Sequence, residues 1–293
     1  MWKLLQIELY KIFKKPRTYI AFGAIAAIIL LIQIALLLNG KEYVKFMLSS
    51  LDDTLDIPYA QIRNGYWICF AILNLLLIHV PILVALVSGD IVAGESGMGT
   101  LRLLLTKPIS RTTIILTKFL ACVIYTLALL VWMAFLSLAL SVLLFGVNDL
   151  IIAKEYEMLQ IEQADVLWRY MAAFGFAAVA LLVVASLSFL LSVISENSIG
   201  PIVATVVIII VFTIMSEMRI PIYDNTVKPY LFTTHMLGWK GFFYINSNDD
   251  GETIRGSLQN VGAIMRSLSV LVAYIILFVA AAVVIFRRKD VLS

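Results

Sequence analysis

Six long apolar runs constrain this chain more than any other feature. They fall at 19–38, 66–88, 114–145, 167–194, 199–215 and 267–286. About 20 such residues are needed to cross the hydrocarbon of a bilayer as a helix. Inside that hydrocarbon no water is available to peptide groups, so each run must satisfy its own backbone, as a helix does. The third and fourth runs exceed one crossing and must tilt or project beyond it. Hydrophobic residues make up 62% of the chain and charged ones 14%, against about half and a quarter in a soluble domain. The expected fold is therefore an all-α integral membrane protein of six transmembrane helices, forming one domain over residues 1–293.

Local signals mark the ends of the runs. Between the fourth and fifth, Ser195-Glu196-Asn197-Ser198-Ile199-Gly200-Pro201 predicts a tight helical hairpin, with Asn197 or Ser198 as cap and Pro201 in the first turn. Residues 1–15 read as an amphipathic interfacial helix rather than a cleavable leader. Trp2, Leu5, Leu9, Ile12 and Phe13 fall on one face, and Lys3, Gln6, Tyr10 and Lys14 on the other. Lys14-Lys15-Pro16-Arg17 then breaks the helix and turns the chain into the first span, completing an elbow over 1–17. A basic anchor and an elbow helix are compatible readings of this segment. Cys69 and Cys122 lie inside apolar runs and are expected to be buried packing residues.

Charge sets the expected orientation. With both termini and residues 89–113 in the cytoplasm, the inner segments carry a net charge of +7 and the outer ones −4. The inner basic residues also crowd the ends of the spans, as the positive-inside rule requires, although Arg169 and Arg266 flank spans on the outer side. The protein is thus expected in the cytoplasmic (inner) membrane as a multi-pass chain. Two outer loops follow. Residues 39–65 are mildly acidic, with Asp52, Asp53 and Asp56. Residues 216–266 contain the stretch YLFTTHMLGWKGFFY (230–244), whose aromatic residues suit a helix lying at the outer membrane interface.

Enzyme signatures are missing from the sequence. With only His79 and His235, neither an HExxH pair nor a His-rich metal cluster can form. There is no GxSxG elbow and no Gly-Lys-Ser/Thr of a Walker A loop. Residues 94–99, GESGMG, have the look of a phosphate cradle, but they follow a membrane span and lack a lysine at the required offset. His79 stands near the middle of the second span, where an ionisable group is costly. It is either functional or a neutral imidazole bonding a carbonyl freed by Pro81. Gln33 and Asn74 are read as interhelical hydrogen-bonding residues.

The segment 89–111, GDIVAGESGMGTLRLLLTKPISR, is too elaborate for a plain turn. Glycines at 94, 97 and 99 allow sharp turning and close approach of another surface. Thr100 to Leu105 predicts a short helix with Leu101, Leu104 and Leu105 on one face and Arg102 pointing away. Pro108 ends that piece, and Ser110 can cap the third span. Such a helix fits either a groove on a soluble partner or the membrane interface itself.

These residues carry a family resemblance. Glu95, then Gly99-Thr100-Leu101 with two further leucines, Lys107-Pro108-Ile109-Ser110-Arg111, and Lys118 on the next span together resemble the signature of type-2 ABC transporter permeases. The similar group comprises the permeases of nitrous-oxide-reductase maturation, bacitracin export and sodium efflux. Glu8-Leu9-Tyr10-Lys11 and Lys15-Pro16-Arg17 resemble that family's elbow. The resemblance implies that two permease copies pair, as a homodimer or with a related permease. It implies that each docks a separate cytoplasmic ATPase subunit through a coupling helix between spans two and three. ATP and Mg would then belong to the partner, with no cofactor on this chain, no enzymatic activity of its own and no nucleic-acid partner. Glu95, Gly97, Gly99, Thr100, Leu101 and Arg102 would transmit the ATPase motion. Lys11, Lys15, Arg17, Arg111 and Lys118 would set the elbow and the interface. The implied function is that of an exporter subunit embedded in membrane lipid, with the 216–266 loop a departure from the pattern. An ion-coupled secondary transporter or channel is the alternative, but spans nearly free of charge apart from His79 argue against it.

Overall fold

A computed structural model describes residues 1–48, 64–154, 157–218, 226–246 and 253–289. The acidic positions Asp52, Asp53 and Asp56 lie outside the described residues. Among the described residues six helices are long and apolar enough to cross a membrane, which makes this a multi-pass, predominantly helical membrane protein. In chain order the elements are α1 (Trp2–Lys14), α2 (Pro16–Leu48), α3 (Gly65–Ser88), α4 (Ala93–Gly97), α5 (Thr100–Leu105) and α6 (Arg111–Phe145). A hairpin of β1 (Leu150–Lys154) and β2 (Glu157–Ile161) follows, then α7 (Gln163–Ile194), α8 (Ile199–Glu217), α9 (Phe232–Met236) and α10 (Val261–Arg288).

The local signals act as their chemistry dictates. Pro16 is the first residue of α2, where its missing N–H costs nothing. The Ser110 side chain accepts from the Thr113 amide at the head of α6, and Asn197 Oδ1 accepts from the Gly200 amide at the head of α8. The α6 helix contains a π segment over Phe135–Leu140. Such a segment disturbs the regular i to i+4 ladder. Gln33 of α2 is buried there, its Nε2 donating to Leu136 O and Ser141 Oγ, so it does serve as an interhelical bond.

The central helix is α7, apolar on all sides and buried along most of its length. Its small residues Ala173, Ala177, Ala180, Ala185, Ser186 and Ser188 let α3, α6, α8 and α10 approach closely. By contrast α2, α8 and α10 keep large apolar side chains on the outside, among them Leu31, Val207 and Ile276. Side chains of that kind belong against lipid or another apolar surface.

The helical bundle carries one short strand pair as well: β1 and β2 form an antiparallel ribbon whose Leu150, Ile152, Leu159 and Ile161 face inward with strand period. Within 230–244 the aromatic residues do not all lie at an interface, because Trp239 and Phe243 are fully buried against Phe70 and Tyr170. On α1, Leu5 and Ile12 of the expected apolar face are buried and Glu8 is buried beside them, paired with Lys118 of the bundle, while Trp2 stands exposed.

Candidate functional site

The segment between the second and third spans is built into the end of the bundle. The amides of Val92 and Ala93 both donate to Ser192 Oγ of α7, so the turn into α4 is fastened to the central helix. On α4, Gly94 and Glu95 are buried. Gly97 packs so closely on the Glu196 carbonyl that a Cβ there would lie 2.9 Å from it. The surface approaching that glycine is therefore the chain's own turn between α7 and α8. Gly99, at φ 71°, takes the left-handed conformation that joins α4 to α5.

Glu95 belongs to a closed ring of four charges. Lys118 of α6, fully buried, places Nζ 2.8 Å from both Glu8 Oε2 and Glu95 Oε2. Lys11 closes the ring, 2.9 Å from Glu8 Oε1 and 2.8 Å from Glu95 Oε1. Two carboxylates and two ammonium groups alternate, so the ring is neutral and every carboxylate oxygen has a cation. It joins α1, α4 and α6, and Lys118 also reaches Ile91 O at 3.5 Å. Burial works to raise the Glu95 pKa, but Lys118 and Lys11 outweigh it and hold the carboxyl below its ordinary value. Burial likewise works to lower Lys11, and Glu95 and Glu8 outweigh it to raise its pKa.

A second cluster adjoins the ring. Asp90 Oδ2 accepts from Lys15 Nζ at 2.8 Å and from Arg17, so one carboxylate faces two cations where α1 turns into α2. A cavity of about 30 Å³ lies between the two clusters, lined by Glu8, Lys11, Lys15, Arg17, Asp90 and Glu95 among others.

On α5 the leucines divide. Leu101 is buried and Leu104 half-buried, while Leu103 is exposed, as is Met98 before the helix. Arg102 is exposed as expected, and the Thr100 hydroxyl donates to Glu95 O. The side chain of Leu105 lies outside the described residues. Arg111 is not part of either charge cluster. Its guanidinium donates to Lys289 O at 2.7 Å and Arg287 O at 3.3 Å, capping the end of α10.

Away from this end, His79 is exposed on α3 and its Nδ1 bonds Leu75 O at 2.7 Å, the carbonyl four residues back. Pro81 frees the carbonyl of Leu77 rather than that of Leu75, so the expected pairing of His79 with a proline-freed carbonyl does not occur. Asn74 is exposed on the same helix, not turned toward a neighbour. At the far end Arg169 is fully buried. It pairs with Asp165 at 2.6 Å and donates to Phe242 O and Ser257 O, which ties the last large loop to α7.

In the sequence Glu95, Lys11 and Lys118 stand as separate features, and the structure brings them together. Glu8 and Asp90 stand out there only as charges and as part of a motif. A sequence signal for both existed: Glu8 falls on the Leu5–Ile12 face of α1, and Asp90 immediately follows a span beside an elbow rich in cations.

Among known proteins, the chain is similar to an uncharacterized protein, YhcI, of Bacillus subtilis strain 168. The two are 23% identical over 210 residues, which make up 70% of this chain and 63% of that protein. The chain thus spans less than two thirds of that relative's length. A family model described as a protein of unknown function (DUF2705) matches residues 18–292, and the chain belongs to that family.

Proposed function

We propose that this protein is the membrane-spanning permease subunit of an ATP-driven ABC transporter, an exporter whose ATP and Mg are bound by a separate ATPase chain. On this reading the termini and the 89–111 segment face the cytoplasm, α1 is the elbow helix and α5 the coupling helix. A second copy completes the translocation unit. The observation that carries the reading is the double character of the 89–111 segment. One end is locked through Glu95 to Lys118 on α6 and to Lys11 on α1. The other end shows apolar Met98 and Leu103 outside the spans. A force applied by a partner at α5 therefore reaches the third span through ion pairs rather than through a slack loop. The resemblance in residues 95–118 supports the same reading.

An ATPase chain is expected among the products of the neighbouring genes, and the test is purification with it. Co-purification is expected, with ATP hydrolysis coupled to transport in the wild type and uncoupled by Glu95→Ala. Full transport by the isolated chain with no nucleotide would overturn the proposal.

A further inference from the structure

The two charge clusters at the elbow differ in balance. In the ring, two carboxylates meet two lysines and every oxygen is used. In the triad, Asp90 alone faces Lys15 and Arg17, both contacts falling on one oxygen, which leaves a net charge of +1. An ammonium carries three N–H donors and a guanidinium five. The contact with Asp90 uses one from each. Both side chains are partly open, at 38% and 33% exposure, and both line the 30 Å³ cavity. Burial, and after it the neighbouring Arg17, lower the Lys15 pKa although Glu95 works to raise it. The carboxylates of Glu8 and Glu95 face the same cavity but are saturated by Lys11 and Lys118.

We propose that Lys15 and Arg17 seat the phosphate of an anionic phospholipid headgroup at the elbow. A phosphate presents oxygens that accept a guanidinium in bidentate fashion. The cavity has the volume of about one water, so a single oxygen enters it while the rest of the group stays at the mouth. Lipid is the source because of where the triad sits. Arg17 lies in the first turn of a membrane-spanning helix, and Tyr19 and Ile20, next along it, are 60% and 62% exposed. Tyr10 and Trp2 are exposed on the adjoining α1. An acyl chain would lie along α2 from a headgroup at that height, and the uncompensated charge favours a lipid with net negative charge over a zwitterionic one. The inference rests on α2 spanning the membrane and is independent of the ATPase partner.

Native mass spectrometry of the full chain from detergent tests it, with phosphatidylglycerol and phosphatidylcholine titrated separately. One phosphatidylglycerol should be retained by the wild type. Its affinity should fall about tenfold in Arg17→Gln, fall less in Arg17→Lys, which keeps the charge but loses the bidentate fork, and be unchanged in Arg288→Gln, which removes an exposed charge from the same end. Equal retention of phosphatidylcholine, equal weakening by Arg288→Gln, or no loss in Arg17→Gln would overturn the proposal. So would displacement of the lipid by millimolar inorganic phosphate, which would make the triad a free-phosphate site. If Arg17→Gln proves unfolded by thermal melting, Lys15→Gln serves in its place with the same expected loss.

Discussion

Lys118 Nζ and Glu95 Oε2 lie 2.8 Å apart at the point where α4 meets α6, and the lysine has no exposed side-chain surface. A fully buried ammonium is tolerable only where its charge is compensated. Glu8 supplies the second carboxylate, which is why α1 turns a glutamate inward. Replacing Lys118 by Met keeps the length of the side chain but leaves both carboxylates sharing Lys11. Lys118→Met should destabilise the protein by about 3–5 kcal/mol. Combining it with Glu8→Gln should cost less than the two changes summed, because the neutral amide no longer needs the cation. Thermal melting of the purified full chain measures both, and strict additivity would show that the ring does not act as a unit.

The presence of six spanning helices was legible because membrane crossing imposes a length and a composition on each one. Helix starts were legible at Pro16, Ser110 and Asn197, where cap chemistry is local. What stayed hidden depends on contacts distant in sequence. The pairing of Glu8 with Lys118 joins positions 110 residues apart. Trp239 looked like an interfacial aromatic because its composition is identical in either setting, and only Phe70 and Phe243 packed around it decide that it is core. The hairpin was missed because each strand spans only five residues, too few to show a clear period in the sequence.

The ring should also leave a signature in pH. The folded Glu95 pKa lies below its ordinary 4.5, so its contribution to stability is present above 4.5 and lost as pH falls through the lower folded value. Lys11 is raised above 10.5, so its contribution is present below 10.5 and lost as pH rises through the folded value. Lys11 is 40% exposed, and solvent screening makes the alkaline limb the shallower one. Melting temperature against pH should therefore show a plateau between these limits. Glu95→Gln should flatten the acid limb, and an unchanged acid limb in that variant would assign the effect to other carboxylates.

The orientation has its own test, using single cysteines and an impermeant thiol reagent on intact cells. Cys69 and Cys122 are fully buried, so the native thiols stay silent. Cysteine in place of Lys107, at the exposed end of α5, should be protected. Cysteine in place of Arg255, 63% exposed at the opposite end, should react. The reverse pattern would invert the topology and remove the 89–111 segment from the reach of a cytoplasmic ATPase.

At that opposite end, Arg169 makes a further prediction. Its guanidinium satisfies Asp165 and two loop carbonyls, Phe242 O at 2.7 Å and Ser257 O at 2.9 Å, while Asp165 also accepts from the Gly256 amide and the Trp168 indole. One buried ion pair thus clasps both limbs of the last large loop to α7. Arg169→Met would strand the Asp165 carboxylate and open two carbonyls, at a cost of about 3–5 kcal/mol. Asp165→Asn in the same chain removes the stranded charge and should recover part of the loss. The loop should become sensitive to added protease between 244 and 257 in Arg169→Met, whereas the α5 end, joined to the core by its own ring, should keep whatever partner binding the wild type has. Loss of partner binding together with loop cleavage would mean that the two ends of the bundle unfold as one cooperative unit, and that the far-end clasp is part of the support for the elbow.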